Sequence, residues 1–145
     1  MIGLLQRVTR ANVTIEDKTV ARINTGLLVL VAIEKTDTQQ QAERLFDKII
    51  SYRVFPDSDD KMNLSLKDIS GGLLLVPQFT LAADTGKGLR PSFSSAAPPA
   101  HGQPLFDYLM DHARCHFENV QGGVFGADMQ VGLVNNGPVT FWLQV

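Results

Sequence analysis

The sequence has few features that would cross-link the chain or charge it strongly. A single cysteine, Cys115, excludes an internal disulfide and is typical of a reducing compartment. Only 19% of the residues are charged, and 13 basic side chains against 15 acidic ones give a formal net charge of −2. This balance excludes the broad basic surface that grips a long stretch of DNA, but it permits a local contact with a short nucleic-acid end.

Long hydrophobic runs are also missing. The longest, residues 27–33 and 73–76, are far shorter than the ~18 residues that a transmembrane helix needs. At the N-terminus Arg7 and Arg10 follow the first apolar residues instead of preceding them, and no small-residue cleavage site is present, so no signal peptide is predicted. We therefore expect no membrane partner and a cytoplasmic location.

What is present fits one folded unit. The 145 residues, 44% of them apolar, match the size of a single domain spanning residues 1–145. Apolar runs and alternation predict short strands at residues 2–8, 12–16, 20–23, 27–33, 52–55 and 73–81. Alternation at residues 129–133 and 139–145, around Asn136-Gly137-Pro138, predicts a closing hairpin.

Two helices are predicted between these strands. Apolar residues recur at helical spacing over residues 38–51, where Asp37 and Gln40 suggest a capping box. A second helix is predicted over residues 100–116. The total is about eight strands and two main helices, which indicates an α+β domain with mixed or mostly antiparallel sheets.

No metal or cofactor site is predicted. His112 and His116 stand four residues apart with Cys115 beside them, but no fourth ligand is spaced nearby, and a structural zinc site uses four. The acidic run from Asp57 to Asp60 lacks the glycine and the glutamate of a calcium loop, so we interpret it as a solvated turn.

Three polar segments are candidates for function. The buried run 73–81 contains Gln78 and Thr80 near its end, and strand ends commonly carry binding groups; the alternative is a strand that finishes with a threonine in solvent. Asn135-Asn136-Gly137-Pro138-Val139-Thr140 is either a tight turn or a specialised loop, because proline removes a ladder donor. The loop 84–93 carries Lys87 and Arg90, which could contact phosphate or simply be solvated.

These segments and others together resemble the bacterial D-aminoacyl-tRNA deacylases. The matching stretches follow in order over essentially the whole chain: Leu5-Gln6-Arg7-Val8, Gly26-Leu27-Leu28-Val29-Leu30, Lys61-Met62-Asn63-Leu64-Ser65, Gln78-Phe79-Thr80-Leu81, Lys87-Gly88-Leu89-Arg90-Pro91-Ser92-Phe93, Phe125-Gly126-Ala127-Asp128-Met129-Gln130-Val131 and Asn135-Asn136-Gly137-Pro138-Val139-Thr140. The family motif Ser-Gln-Phe-Thr departs here, because Pro77 replaces the serine and supplies neither a hydroxyl nor an N–H.

The resemblance implies a homodimer that hydrolyses the ester between a D-amino acid, or glycine, and the terminal adenosine of tRNA. In this family a cis Gly-Pro peptide, here Gly137–Pro138, enters the partner's site and rejects L-amino acids through its backbone carbonyls. The site residues that the resemblance implies fall into three groups: catalytic, Gln78, Phe79 and Thr80; filter and substrate-binding, Arg7, Phe125, Met129, Asn135, Gly137, Pro138 and Thr140; tRNA-binding, Lys87 and Arg90.

The chemistry expected at this site needs no cofactor. An aminoacyl ester is already activated, so the protein needs only an oxyanion donor, such as the Phe79 N–H. We expect Thr80 to position the substrate and Arg7 to hold the Gly137–Pro138 loop. Two alternatives stay open: a non-catalytic module that binds the CCA end of tRNA, and an esterase or amidohydrolase that uses Thr80 as its nucleophile.

Overall fold

The computed structural model describes residues 1–86 and 88–145, so Lys87 lies outside the described residues. The strands are β1 Ile2–Ile15, β2 Lys18–Ile23, β3 Gly26–Ala32, β4 Phe55–Pro56, β5 Met62–Leu64, β6 Gly72–Pro77, β7 Val120–Gly122 and β8 Gln130–Gln144. The helices are α1 Gln39–Ser51, α2 Leu66–Ile69 and α3 Pro99–His116, and a 3₁₀ turn spans Phe79–Ala82. Within the described residues, no helix is long and apolar enough to cross a membrane.

The main sheet has six strands in the order β2-β1-β3-β6-β7, and β8 pairs with β1. The long strand β1 pairs antiparallel with β3 through its first half, with β2 through its second half and with β8 on its other side. The pairs β3–β6 and β6–β7 are parallel. The predicted α+β class with mixed sheets is therefore confirmed, and α2 adds one short turn to the two main helices.

The predicted closing hairpin is wrong, and so is the predicted break between residues 8 and 12, because β1 and β8 each run as one strand. Residues 9–10 continue β1 through the predicted break at its centre. On β8, Thr140 pairs with Gln6 and Asn135 pairs with Val8, so residues 136–139 protrude as a bulge instead of turning the chain back. Since β1 is long enough to pair on both sides of this interruption, β8 keeps its direction.

Two further boundaries differ from prediction. The strand predicted to reach residue 81 ends at Pro77, whose ring removes an N–H, and the chain turns into the 3₁₀ segment. The predicted strand 52–55 is reduced to the two residues of β4.

The capping box of α1 also lies one residue later than predicted, at Thr38 and Gln41. The displaced residue, Asp37, is buried and accepts a hydrogen bond from the Met1 ammonium at 2.7 Å.

The core has three buried clusters, and the two larger ones lie on opposite faces of the sheet. On one face α1 buries the predicted stripe (Ala42, Leu45, Phe46, Ile49 and Ile50) together with apolar residues of α3. On the other face Val8 and Val13 of β1 pack with Leu28, Leu74 and Val76. The carboxyl end of β6 lies beside the N-terminus of α3, since Pro77, Pro98 and Pro99 line the same cleft.

Candidate active site

The end of β6 presents the predicted catalytic segment at the surface. The Gln78 N–H donates to the Val31 carbonyl oxygen at 2.7 Å, and the 3₁₀ turn then begins at Phe79. Phe79 is 54% exposed, although it is a large aromatic residue. Because Phe79 is the first residue of the turn, its N–H has no partner within the turn, and among the described residues it donates no hydrogen bond.

An apolar cleft of about 520 Å³ opens beside this turn. Its lining residues are Lys35, Pro77, Phe79, Phe93, Ala96, Ala97, Pro98, Pro99, Phe125 and Gly126. The rings of Phe79 and Phe93 lie with their centroids 5.0 Å apart, and both are exposed. Largely apolar clefts of this size that carry a few polar groups are typical small-ligand sites.

Thr80 has a hydrogen-bond partner, but the partner is not a base. The Gln78 side-chain amide donates to the Thr80 hydroxyl oxygen. An amide cannot remove a proton from a hydroxyl, and no carboxylate or histidine forms a hydrogen bond to Thr80 within the described part of the chain. The arrangement can orient the hydroxyl toward a ligand, but it does not activate it as a nucleophile.

The bulge on β8 is held at its base by side chains of its own motif. The Asn135 side-chain Nδ2 donates to the Thr140 hydroxyl at 2.9 Å, and the Asn135 side-chain Oδ1 accepts a hydrogen bond from the Val139 N–H at 2.8 Å. Gln6 of the neighbouring strand also donates to the Thr140 hydroxyl, at 3.4 Å. The motif residues Asn135 and Thr140 therefore close the bulge.

Arg7 ties the tip of the bulge to the body of the protein. Its Nε donates to the Asn136 carbonyl oxygen at 2.9 Å, and its Nη1 donates to the Val54 carbonyl oxygen at 2.6 Å. The predicted hydrogen bond between Arg7 and this loop is therefore confirmed.

The backbone at Gly137–Pro138 is the second confirmed detail, since this peptide bond is cis. Gly137 has φ of +139°, and a Cβ there would lie 2.6 Å from the Val139 Cγ2 and 3.1 Å from the Arg7 Nη2. A methyl group at this position therefore collides first with the bulge's own side chains.

The catalytic segment and the bulge do not meet within one chain. Three strand steps separate β8 from β6, and the β3 partners of Arg7 and Pro77 lie four residues apart, about 13 Å along the strand. None of the residues from Asn135 to Thr140 lines the cleft. The two motifs are thus separate surfaces of the described chain.

The remaining predicted residues distribute between these surfaces. Phe125 lines the cleft and packs on Phe106 of α3. Met129 is not a lining residue, but its sulfur accepts the Val124 N–H at 3.3 Å and so supports the adjoining segment. Arg90 is exposed on a loop that Asp84 and Ser92 close with two backbone hydrogen bonds. The prediction for Lys87 lies outside the described residues.

Of the residues that line the cleft, only Phe79 and Phe125 were predicted as site residues, and the charged one, Lys35, was missed. Lys35 lines the cleft, although its sequence neighbourhood carries no motif that would single it out. The place of Lys35 in the cleft becomes evident only in the folded structure, where residues 33–35 lie beside residues 95–97.

The histidine and aspartate clusters have other roles. The rings of His112 and His116 lie 4.2 Å apart, and His116 Nδ1 contacts the His112 carbonyl oxygen; no group of three potential ligands forms in the described ranges. Asp57 accepts hydrogen bonds from the Asn63 side chain and from the Lys61 and Asp59 N–H groups, which lower its pKa. The Asp57 carboxylate therefore stabilises its own turn.

Known proteins resemble this chain in sequence over nearly its whole length. The sequence model of the family described as D-Tyr-tRNA(Tyr) deacylase matches residues 4–144. The D-aminoacyl-tRNA deacylases of Pseudomonas putida strain KT2440 and of Cellvibrio japonicus are 61% and 54% identical to this chain. Both alignments cover all of this chain, and they cover 100% and 99% of the two relatives, respectively.

Two solved structures share the fold. The protein titled c-Myc DNA Unwinding Element Binding Protein has a TM-score of 0.95 and 36% identity, covering 100% of this chain and 99% of its own. A probable eukaryotic D-amino acid tRNA deacylase has a TM-score of 0.85 at 18% identity, over 99% of this chain and 98% of its own. The family match and the curated relatives thus define the class of this protein as a deacylase. The chain belongs to the D-Tyr-tRNA(Tyr) deacylase family.

Proposed function

We propose that this protein hydrolyses D-aminoacyl-tRNA, and glycyl-tRNA, to the free amino acid and tRNA, and that it rejects L-aminoacyl-tRNA. Water attacks the ester carbonyl carbon, the bond to the ribose oxygen breaks, and the ribose of the terminal adenosine leaves as its hydroxyl. The observation that carries the proposal is the free Phe79 N–H at the mouth of an apolar cleft, in a chain of this family. Since charged tRNA is held in the cytoplasm, the protein acts there.

The Phe79 N–H is the group that stabilises the reaction's transition state. Negative charge develops on the carbonyl oxygen as water attacks, and a fixed N–H donor aimed at that oxygen contributes about 3 kcal/mol. Gln78 orients the Thr80 hydroxyl, which then serves as a hydrogen-bonding group for the substrate. This assignment is favoured over a Thr80 nucleophile, because Thr80 is bonded to an amide and not to a base.

The terminal adenosine occupies the apolar cleft. Single-stranded RNA ends are recognised by stacking their bases on aromatic rings, and Phe79 and Phe93 form an exposed aromatic pair. A nucleoside held there places its ribose ester beside the first residue of the 3₁₀ turn.

Selectivity against L-amino acids comes from the bulge of a partner subunit. Within one chain the bulge lies away from the cleft, yet Arg7, Asn135 and Thr140 hold it rigidly. An isologous homodimer brings each Gly137–Pro138 to the other subunit's cleft. Backbone atoms there occupy the position of an L side chain and leave space for a D side chain or for the hydrogen of glycine.

The direct test is hydrolysis of D-Tyr-tRNA, L-Tyr-tRNA and Gly-tRNA by the purified protein under identical conditions. We expect turnover of the D-tyrosyl and glycyl substrates and retention of the L-tyrosyl ester. Binding of all three without turnover would instead support a tRNA-end binding module. A trapped acyl-enzyme that is lost in Thr80→Ala would support the Thr80-dependent alternative.

A further inference from the structure

Lys35 stands at the rim of the cleft in a fixed backbone position. Its N–H donates to the Ser95 carbonyl oxygen at 3.1 Å, and the Ala97 N–H donates to the Ile33 carbonyl oxygen at 2.9 Å. Residues 33–35 therefore run beside residues 95–97, and Ala96 and Ala97 are part of the cleft wall. Through this pairing the exposed Lys35 side chain belongs to the same surface as the aromatic pair.

The charge of Lys35 is available to a ligand. The nearest acidic residues along the chain are Glu34 and Asp37, and both pair with the Met1 ammonium, at 3.3 and 2.7 Å. No ion pair involves Lys35 in residues 1–86 and 88–145. Among the described residues that line the cleft, Lys35 is the single charged side chain.

A cation at the edge of an aromatic, apolar cleft complements a nucleotide. The base gains from stacking on the rings, and the phosphate gains from the ammonium group. An amino-acid side chain alone would use the apolar surface but would leave Lys35 without a partner. A ligand with an anionic group attached to a flat apolar one uses both features.

We propose that Lys35 binds the phosphate that joins the terminal adenosine of the tRNA to the preceding nucleotide. This inference rests on the proposed function, because it takes the cleft as the site of the terminal adenosine. It assigns to Lys35 the recognition of the RNA backbone, separate from the ester chemistry at Phe79. Lys35 distinguishes a polynucleotide end from a free nucleoside.

The binding test compares two unesterified ligands, the trinucleotide CCA and adenosine. We expect Lys35→Gln to weaken CCA binding about fivefold at low salt, the effect of one accessible ion pair, and to leave adenosine binding unchanged. Lys35→Arg keeps the charge and should retain affinity. Lys61→Gln is the matched control, since Lys61 is exposed but does not line the cleft.

The same variants are then assayed on D-tyrosyl esters of tRNA and of adenosine. Lys35→Gln should raise KM for the tRNA ester, leave kcat and the adenosine ester unaffected, and reduce the salt slope of binding by about 0.7. Equal losses with CCA and adenosine, an equal loss in Lys61→Gln, or no loss at all would overturn the assignment. If neither ester is hydrolysed, the proposed function fails, while CCA binding still decides the role of Lys35.

Discussion

Thr140 accepts hydrogen bonds from Asn135 and Gln6 at the base of the bulge. Thr140→Val keeps the shape of the side chain but removes the acceptor, which leaves the Asn135 amide without this partner. We expect a stability loss of about 1 kcal/mol and a smaller ratio of D-Tyr-tRNA to L-Tyr-tRNA hydrolysis, because the bulge loosens. Thr140→Ser retains the hydroxyl and should retain the ratio. An unchanged ratio in Thr140→Val would contradict the role of this clamp.

Phe79 offers a pair of substitutions that separate its N–H from its ring. Phe79→Ala removes the ring and keeps the N–H, whereas Phe79→Pro removes both at the first residue of the 3₁₀ turn, where proline is tolerated. If the N–H stabilises the oxyanion, kcat in Phe79→Pro should lie roughly 100-fold below that in Phe79→Ala. Equal kcat values, measured by single-turnover hydrolysis, would exclude this N–H as the donor.

At this scale the resemblance predicted contacts that composition and spacing could not. The hydrogen bond from Arg7 to residue 136 and the cis Gly137–Pro138 peptide both followed from motif matches and are present. The hydrogen bond between Gln78 and Thr80 was not predicted, because a straight strand through residue 81 would point alternate side chains to the same face without defining their contact. Lys35 was missed because the cleft exists only through a tertiary pairing.

At the scale of elements, a buried ion pair joins the start of β1 to the residues before α1. Asp37 is buried and accepts a hydrogen bond from the Met1 ammonium, and Met1 itself is also buried. Asp37→Asn leaves that ammonium without its main counter-charge, so the free energy of unfolding should fall by about 3 kcal/mol in urea titrations. Glu34→Gln is the matched control: its carboxylate is 3.3 Å away with the side chain 26% exposed, and the loss should be clearly smaller. Equal losses would mean that Asp37 does not anchor the terminus.

The short helix α2 has a capping box that makes stability depend on pH. The Ser65 hydroxyl and N–H donate to the Asp68 carboxylate and lower the pKa of Asp68 below 3.8. The charged carboxylate of Asp68 is favoured in the folded protein. Its contribution to stability is therefore full above pH 3.8 and is lost as the pH falls through the lowered pKa.

The Ser65→Ala variant should therefore be less stable than wild type at pH 7, and the difference between their melting temperatures should narrow below pH 3.8. Thermal unfolding at several pH values measures this, with Ser51→Ala as the control, since Ser51 is exposed at the end of α1. A difference that stays constant down to acid pH would show that the cap acts without the Asp68 charge.

The helix α1 was predictable because its apolar side chains form a single stripe that packs on one side of the sheet. The full lengths of β1 and β8 were not predictable. The apolar pattern of each strand is interrupted near its centre, and each strand continues because it pairs with the other on both sides of the interruption. The end of β6 could not be predicted from the local sequence, because a proline can either end a strand or lie within an edge strand. In the structure Pro77 forms the last pair of β6, with Val31 of β3.

At the scale of the whole molecule, β8 is a long edge strand paired only with β1 in the described chain. Leu133, Val134 and Trp142 are exposed along it. Such an edge is normally covered, and a second copy would cover it and bring the bulge to the facing cleft. We expect light scattering to give a dimer and Val134→Asp to shift it toward monomer with loss of D-over-L selectivity. A selective monomer would contradict a filter supplied by a partner.

Mixed dimers test the central claim most directly, using one variant with an impaired bulge, Gly137→Ala, and one with an impaired oxyanion donor, Phe79→Pro. In a mixed dimer the intact cleft of the first chain faces the intact bulge of the second. We expect that mixing and re-equilibrating the two variants raises the ratio of D-Tyr-tRNA to L-Tyr-tRNA hydrolysis, because about half of the dimers then carry one site with both an intact cleft and an intact bulge. A ratio equal to the average of the two separate variants would contradict a filter supplied by the partner.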